Sequence, residues 1–223
     1  KAPQQSKTSN TSVQSSPKFK VHLPLQIRLH DPQTFKKARK LGILKPNHLN
    51  KLSLWKSSSK LNTLPAKCLL PLTKAKHLKA FQYESHKESL DNSSNTFGKL
   101  FPLSSIGLRK LCIELDHCYN LQHNPAFSTL NQIITIVPIL RELSLIVSSS
   151  RKLGSLEVVN DRELLGIVQG LSRLVYLNSL HIEFKDCQKI SNQGISALSN
   201  ALVRLTQLQE FSFCMTDNIT ITD

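Results

Sequence analysis

The chain has 223 residues, 39% of them hydrophobic, with 9 Phe, 3 Tyr and one Trp, so its apolar content is mainly aliphatic and large enough for a substantial core, which excludes a wholly disordered chain. No apolar run approaches the roughly 20 residues of a membrane-spanning helix, and five cysteines without a C-x-x-C pair exclude a fully paired disulfide framework and fit a reducing, cytoplasmic location. The formal charge of +14 is uneven: residues 1–110 hold 21 Lys or Arg against 4 Asp or Glu, whereas residues 111–223 hold 8 against 11.

Residues 1–30 are rich in Ser, Gln, Lys and Pro and carry no acidic residue before Asp31. That composition predicts a basic mobile arm or an N-terminal cap, with enough alternation over 19–29 for one capping strand. Next comes a cluster of cations, Lys36, Lys37, Arg39, Lys40, Lys45, Lys51, Lys56 and Lys60. If it forms one surface, it would suit a polyanion such as RNA, because cations along a phosphate chain release its counterions.

From Leu49 onward one spacing recurs, weakly over 31–107 and strongly over 108–223. In the stretch after Leu180, apolar or small residues stand at Leu180, Ile182, Phe184, Cys187 and Ile190. The same offsets give Leu111, Ile113, Leu115, Cys118 and Leu121; Leu143, Leu145, Val147, Ser150 and Leu153; and Phe211, Phe213, Met215, Asn218 and Ile221. A leucine leads each copy by three residues, and the leaders at 49, 78, 108, 140, 177 and 208 define about six units.

Two periods operate within a unit. Alternation at the first three positions buries one face of a short strand, and the fourth position falls where the chain must turn inward. Asn, Cys or Ser there can bond the turn's backbone, so Cys118, Cys187 and Asn218 are expected at bends. Between strands the spacing becomes helical: Phe127 to Val137, then Leu164, Leu165, Val168, Leu171 and Leu174 after Asp161, then Ile195, Leu198, Leu202 and Leu205 after Gly194. A further amphipathic stretch over 64–75 is interrupted by Pro65 and Pro71.

These residues resemble the ribonuclease-inhibitor-like class of leucine-rich repeats, whose unit reads L-x-x-L-x-L, then Asn or Cys, an apolar residue, Gly and a helix. The best copy runs LNSLHIEFKDCQKISNQGISALSNALVRLTQL over 177–208, and the long strands are similar to those of ciliate leucine-rich-repeat proteins. The resemblance covers 49–223. It implies an α/β solenoid, a horseshoe with a parallel concave sheet and convex helices, that stops inside a repeat. Only the Gly194 copy has the glycine in place, and the unit of 37 residues carries an insertion near 148–157.

In that register the outward strand positions are Lys51, Ser53, Trp55; Ala80, Gln82, Glu84; Lys110, Cys112, Glu114; Glu142, Ser144, Ile146; Ser179, His181, Glu183; and Glu210, Ser212, Cys214. Of these, Trp55, Gln82, Glu84, Lys110, Glu114, Glu142, Ile146, His181 and Glu183 are the candidate partner contacts. Glu84, Glu114 and Glu183 form an acidic column, broken by Ile146, that suits a basic or amphipathic segment. Trp55 is either an interface anchor or a packing partner of the arm.

Catalysis finds no support. The set Cys112, His117, Cys118 and His123 invites zinc, but Cys112 and Cys118 belong to opposite strand faces. Neither G-x-S-x-G, a phosphate-binding G-x-x-x-x-G-K-[ST], nor H-E-x-x-H occurs, and no cofactor is implied. The reading is a non-enzymatic scaffold with a protein partner, the alternative an RNA-associated or ribonucleoprotein component using the basic half.

Overall fold

Alternating apolar positions in consecutive repeats build a parallel sheet. The computed structural model describes residues 25–28, 40, 51–56, 78–86, 107–118, 131–132, 134–149, 159–217 and 221. Seven strands stand side by side in chain order: β1 (Leu25–Arg28), β2 (Lys51–Lys56), β3 (Ala80–His86), β4 (Lys110–Cys118), β5 (Glu142–Ser149), β6 (Ser179–Lys185) and β7 (Glu210–Thr216). Every neighbouring pair is parallel. Parallel strands require a crossover on one side of the sheet. Here α1 (Asp161–Leu171) makes it between β5 and β6, and α2 (Asn192–Leu202) between β6 and β7.

The repeat positions become Cα partners across the sheet. Leu111 pairs with Leu143, Leu143 with Leu180, and Leu180 with Phe211. The strand β1 lies inside the segment 19–29 and extends this register by one unit, Leu25 to Leu52 and Ile27 to Leu54. The inward residues of β4, β5 and β6 are at most 6% exposed, and the leading leucines Leu108, Leu140 and Leu177 at most 1%. Each such side chain contributes about 1.5–3 kcal/mol by leaving water.

Backbone bonds tie one unit to the next at the strand entry. The Lys79 carbonyl accepts the N–H groups of both Arg109 and Lys110; Arg109 accepts from Arg141 and Glu142, Arg141 from Asn178 and Ser179, and Asn178 from Gln209 and Glu210, all at 2.8–3.0 Å. This ladder of shared carbonyls fixes the register independently of side chains.

The helices are capped by side chains. Asn160 accepts from the N–H groups of Arg162 and Glu163, and the Glu163 carboxylate accepts in return from the Asn160 N–H, a reciprocal capping box. Ser191 caps α2 by accepting from Gln193 N–H at 3.2 Å. The α1 carboxylate Asp161 reaches across to accept from Ser191 N–H at 2.8 Å and from its hydroxyl at 2.5 Å. Gly194 makes that approach possible, since a Cβ there would collide with Asp161 Oδ1 and stand 3.0 Å from Leu164 Cδ2.

Three local readings are corrected. α2 begins at Asn192 rather than after Gly194, because Ser191 supplies the cap. In α1, Ile167 is fully buried while Leu165 is only half-buried. Cys187 does sit buried at a bend, its thiol donating to the Lys185 carbonyl at 3.4 Å, but Cys118 is still in β4 and pairs with Ser149 after a register shift. The difference lies one residue before the turn position. Asp186 and Asp217 adopt φ of 57° there, a left-handed conformation that Asp tolerates better than most residues. His117 and Ser149 occupy the equivalent places; β4 runs on through His117 to Cys118, and Ser149 is still in β5.

Helical backbone is described at 131–132 and 134–136, within the expected stretch; the stretch 64–75, residues 150–157 of the insertion and the bend expected at Asn218 lie outside the described residues.

Candidate partner-binding face

The burial of β6 alternates strictly along the strand, so its even-numbered residues face the core and Ser179, His181, Glu183 and Lys185 face away from it. Strand register carries that division to the neighbours and makes three columns on the helix-free face. The first is Lys51, Ala80, Lys110, Glu142, Ser179, Glu210; the second Ser53, Gln82, Cys112, Ser144, His181, Ser212; the third runs by Cα register from Trp55 through Glu84, Glu114, Ile146 and Glu183 to Cys214. Strands about 4.8 Å apart make adjacent members of a column neighbours.

The first column contains an exposed ion pair between Lys110 and Glu142, with side chains 53% and 49% accessible. The second is a chain of short polar groups: the Ser53 hydroxyl donates to Gln82 Oε1 at 3.3 Å, and Cys112 and Ser144 are hydrogen-bonded. The third is acidic at Glu84 and Glu114, which are Cα partners and both half-buried. Its later member Glu183 is engaged by Lys185 at 3.2 Å and lies 3.8 Å from His181 Nε2. Lys185 therefore joins the face one outward position beyond the expected columns.

Burial pushes the Cys112 thiol above its ordinary pKa; its hydrogen bond with Ser144 works the other way, and the nearby Glu114 carboxylate adds to the rise. A thiol so placed stays protonated at neutral pH and is a poor nucleophile. Among the described residues no group of three or more His, Cys, Asp or Glu is placed to hold a metal ion, and no helix is long and apolar enough to cross a membrane.

Gln82, Glu84, Glu114, Ile146, His181 and Glu183 are half-buried on this face, and Lys110 and Glu142 are exposed on it. Trp55 is placed by its backbone between Arg28 and Glu84. Of the expected polyanion cluster, Lys40 is exposed, and Lys51 and Lys56 stand at opposite ends of β2; Lys36, Lys37, Arg39, Lys45 and Lys60 lie outside the described residues. A different cationic file emerges at the strand entry, where Lys79, Arg109 and Arg141 are exposed in three consecutive units. Its signal was a basic residue directly after the leading leucine of each of those units.

A parallel one-strand-per-repeat sheet, helical crossovers, buried leading leucines and a strand-entry carbonyl ladder define a leucine-rich-repeat solenoid with a concave sheet and convex helices. No protein-family model matches the sequence, and no curated protein does. Among solved structures the chain is similar to the C-terminal domain of tropomodulin from Caenorhabditis elegans, at 14% identity and a TM-score of 0.44, over 78% of this chain and 93% of that one. It is also similar to an internalin, InlF, from Listeria monocytogenes, at 13% identity and a TM-score of 0.30, over 79% of this chain and 50% of that one.

Proposed function

We propose that the chain is a non-enzymatic scaffold of the ribonuclease-inhibitor-like repeat class, with the long strands its sequence shares with ciliate repeat proteins, whose concave face binds an extended basic or amphipathic segment of a protein partner. The observation that carries this reading is the continuous set of three in-register columns, which offers hydrogen-bonding groups and carboxylates at a fixed spacing on rigid strands. Rigid strands bind without the ordering cost that a mobile loop incurs. A protonated Cys112 and an ion-paired Glu183 favour recognition over covalent or acid–base chemistry. The free thiols Cys112, Cys187 and Cys214 suit a reducing, cytoplasmic setting.

The test places a photo-crosslinking residue at Ser144 or His181 on the sheet, and at Gln169 or Asn200 on the exposed helix surface, in the protein expressed in its own cells. The sheet positions are expected to trap a discrete protein that Glu114→Arg releases. Equal trapping from both surfaces would overturn the assignment, and trapping of RNA in place of protein would transfer it to the ribonucleoprotein alternative.

A further inference from the structure

In three units the N–H of the leading leucine closes a tight turn just before the strand, Leu140 to the Val137 carbonyl, Leu177 to Leu174 and Leu208 to Leu205, at 2.9–3.2 Å. The central pairs of these turns are Pro138 and Ile139, Val175 and Tyr176, and Thr206 and Gln207. Tight turns favour Gly, Pro, Asn, Asp and Ser, and Pro138 serves its turn by fixing φ. Val175 and Tyr176 have no such turn chemistry, yet they stand 45% and 57% exposed, with Pro138 exposed and Ile139 half-buried one unit earlier.

These apolar tips adjoin the cationic file of the same rim. Ile139 and Arg141 flank the buried Leu140 as Tyr176 and Asn178 flank the buried Leu177, and the Asn178 N–H donates to the Arg141 carbonyl at 2.8 Å. Lys79, Arg109 and Arg141 are joined in succession by the same ladder, so the rim passes from three cations to an apolar patch without a break. Among the described residues none of these three cationic side chains is ion-paired, whereas the neighbouring Glu142 carboxylate is engaged by Lys110.

From this juxtaposition we infer that the strand-entry rim of β3 to β6 is a second docking surface, distinct from the concave columns, for an acidic amphipathic helix of a protein partner. Its carboxylates meet Lys79, Arg109 and Arg141, and an apolar residue of the same stripe seats on Ile139, Val175 and Tyr176. Parallel strands place the three cations at steps of about 4.8 Å, with the Tyr176 unit about 14.4 Å from the first. Helix positions i, i+3, i+7 and i+10 lie on one stripe at about 0, 4.5, 10.5 and 15 Å, which keeps pace with those steps. Alternate residues of an extended chain, about 6.6–6.8 Å apart, fall out of step. A phosphate chain would match the cations but leave the aliphatic Ile139 and Val175 uncovered.

The test measures binding of the 223-residue chain, by fluorescence anisotropy, to a labelled helical peptide with Glu at i, i+3 and i+7 and Leu at i+10. Arg109→Glu with Arg141→Glu should weaken binding about tenfold or more, and Tyr176→Ser about fivefold. All three side chains are exposed and the ladder uses only main-chain groups, so these variants keep the fold. Arg162→Glu with Lys189→Glu, the same charge change at exposed sites beyond the strand exits, should alter binding less than about twofold at physiological salt. Equal losses from the two pairs would overturn the inference, since the peptide would then answer to net charge alone. So would equally tight binding of a peptide with the same residues scrambled off the stripe, or no binding of the striped peptide. Binding of single-stranded RNA or phosphatidylserine vesicles through Arg109 and Arg141 in place of the peptide would overturn it as well.

Discussion

Two glycines in neighbouring helices should respond to the same substitution with opposite signs. Gly166, inside α1, has open space where a Cβ would be added, with nothing within 4 Å. Gly166→Ala should follow intrinsic helix propensity and stabilise by about 0.5–1 kcal/mol. Gly194, in the first turn of α2, gains the same propensity but meets Asp161 Oδ1 and Leu164 Cδ2. Leu164 is fully buried, and Asp161 is held by two bonds from Ser191, so neither can yield freely. Overpacking of this kind costs about 1–3 kcal/mol, and displacing Asp161 forfeits a charge-assisted contact worth about 1.5–3 kcal/mol. The net expectation for Gly194→Ala is destabilisation by about 1–3 kcal/mol. For a chain of this size each kcal/mol moves the melting temperature by about 2–4 °C. Thermal and urea unfolding of the two variants beside the wild type would measure both shifts. A Gly194→Ala variant as stable as Gly166→Ala would refute the close approach of α1 and α2 through Asp161.

Ile182→Ala, at a fully buried strand position, should cost about 2–5 kcal/mol in urea unfolding; a loss below about 1 kcal/mol would contradict its place in the core. Asn160→Ala, which removes the capping box of α1, is expected to cost about 1 kcal/mol, read by the same unfolding assay. Lys110→Ala should change stability by less than about 1 kcal/mol, since its pair with Glu142 is exposed. Alkylation of Cys112 should rise with pH along a curve displaced above that of an ordinary thiol, near pH 8.5, because burial raises its pKa. Its thiolate fraction at neutral pH is correspondingly smaller, and a curve displaced to lower pH would contradict the burial described.

The strand register was legible from spacing because alternation and repeat length are redundant signals. An error of one residue would have put Leu111, Leu143 and Leu180 on the solvent face together, and the outward columns from Lys51 to Cys214 are Cα partners as the spacing implied. Features that depend on a single side chain were harder to see. Cys118 was expected at a bend from its resemblance to Cys187, yet the turn follows the left-handed Asp before that position, and β4, with His117 there, continues to Cys118 as strand. Likewise Glu183 read as part of an open acidic column, and the partner that engages it, Lys185, sits two residues further along the same strand. Contacts such as Asp161 with Ser191 join residues 30 apart through helix packing, which no local pattern encodes.

The carbonyl ladder at the strand entries also bears on how this surface can change over generations. Because main-chain groups join one unit to the next there, the side chains of Lys79, Arg109, Arg141, Asn178 and Gln209 carry no share of that cohesion. Proline alone is barred at the donating positions, such as Arg109 and Lys110 or Arg141 and Glu142, since it removes an N–H. The rim of the sheet is therefore a place where mutation can rewrite charge and size while the units stay joined.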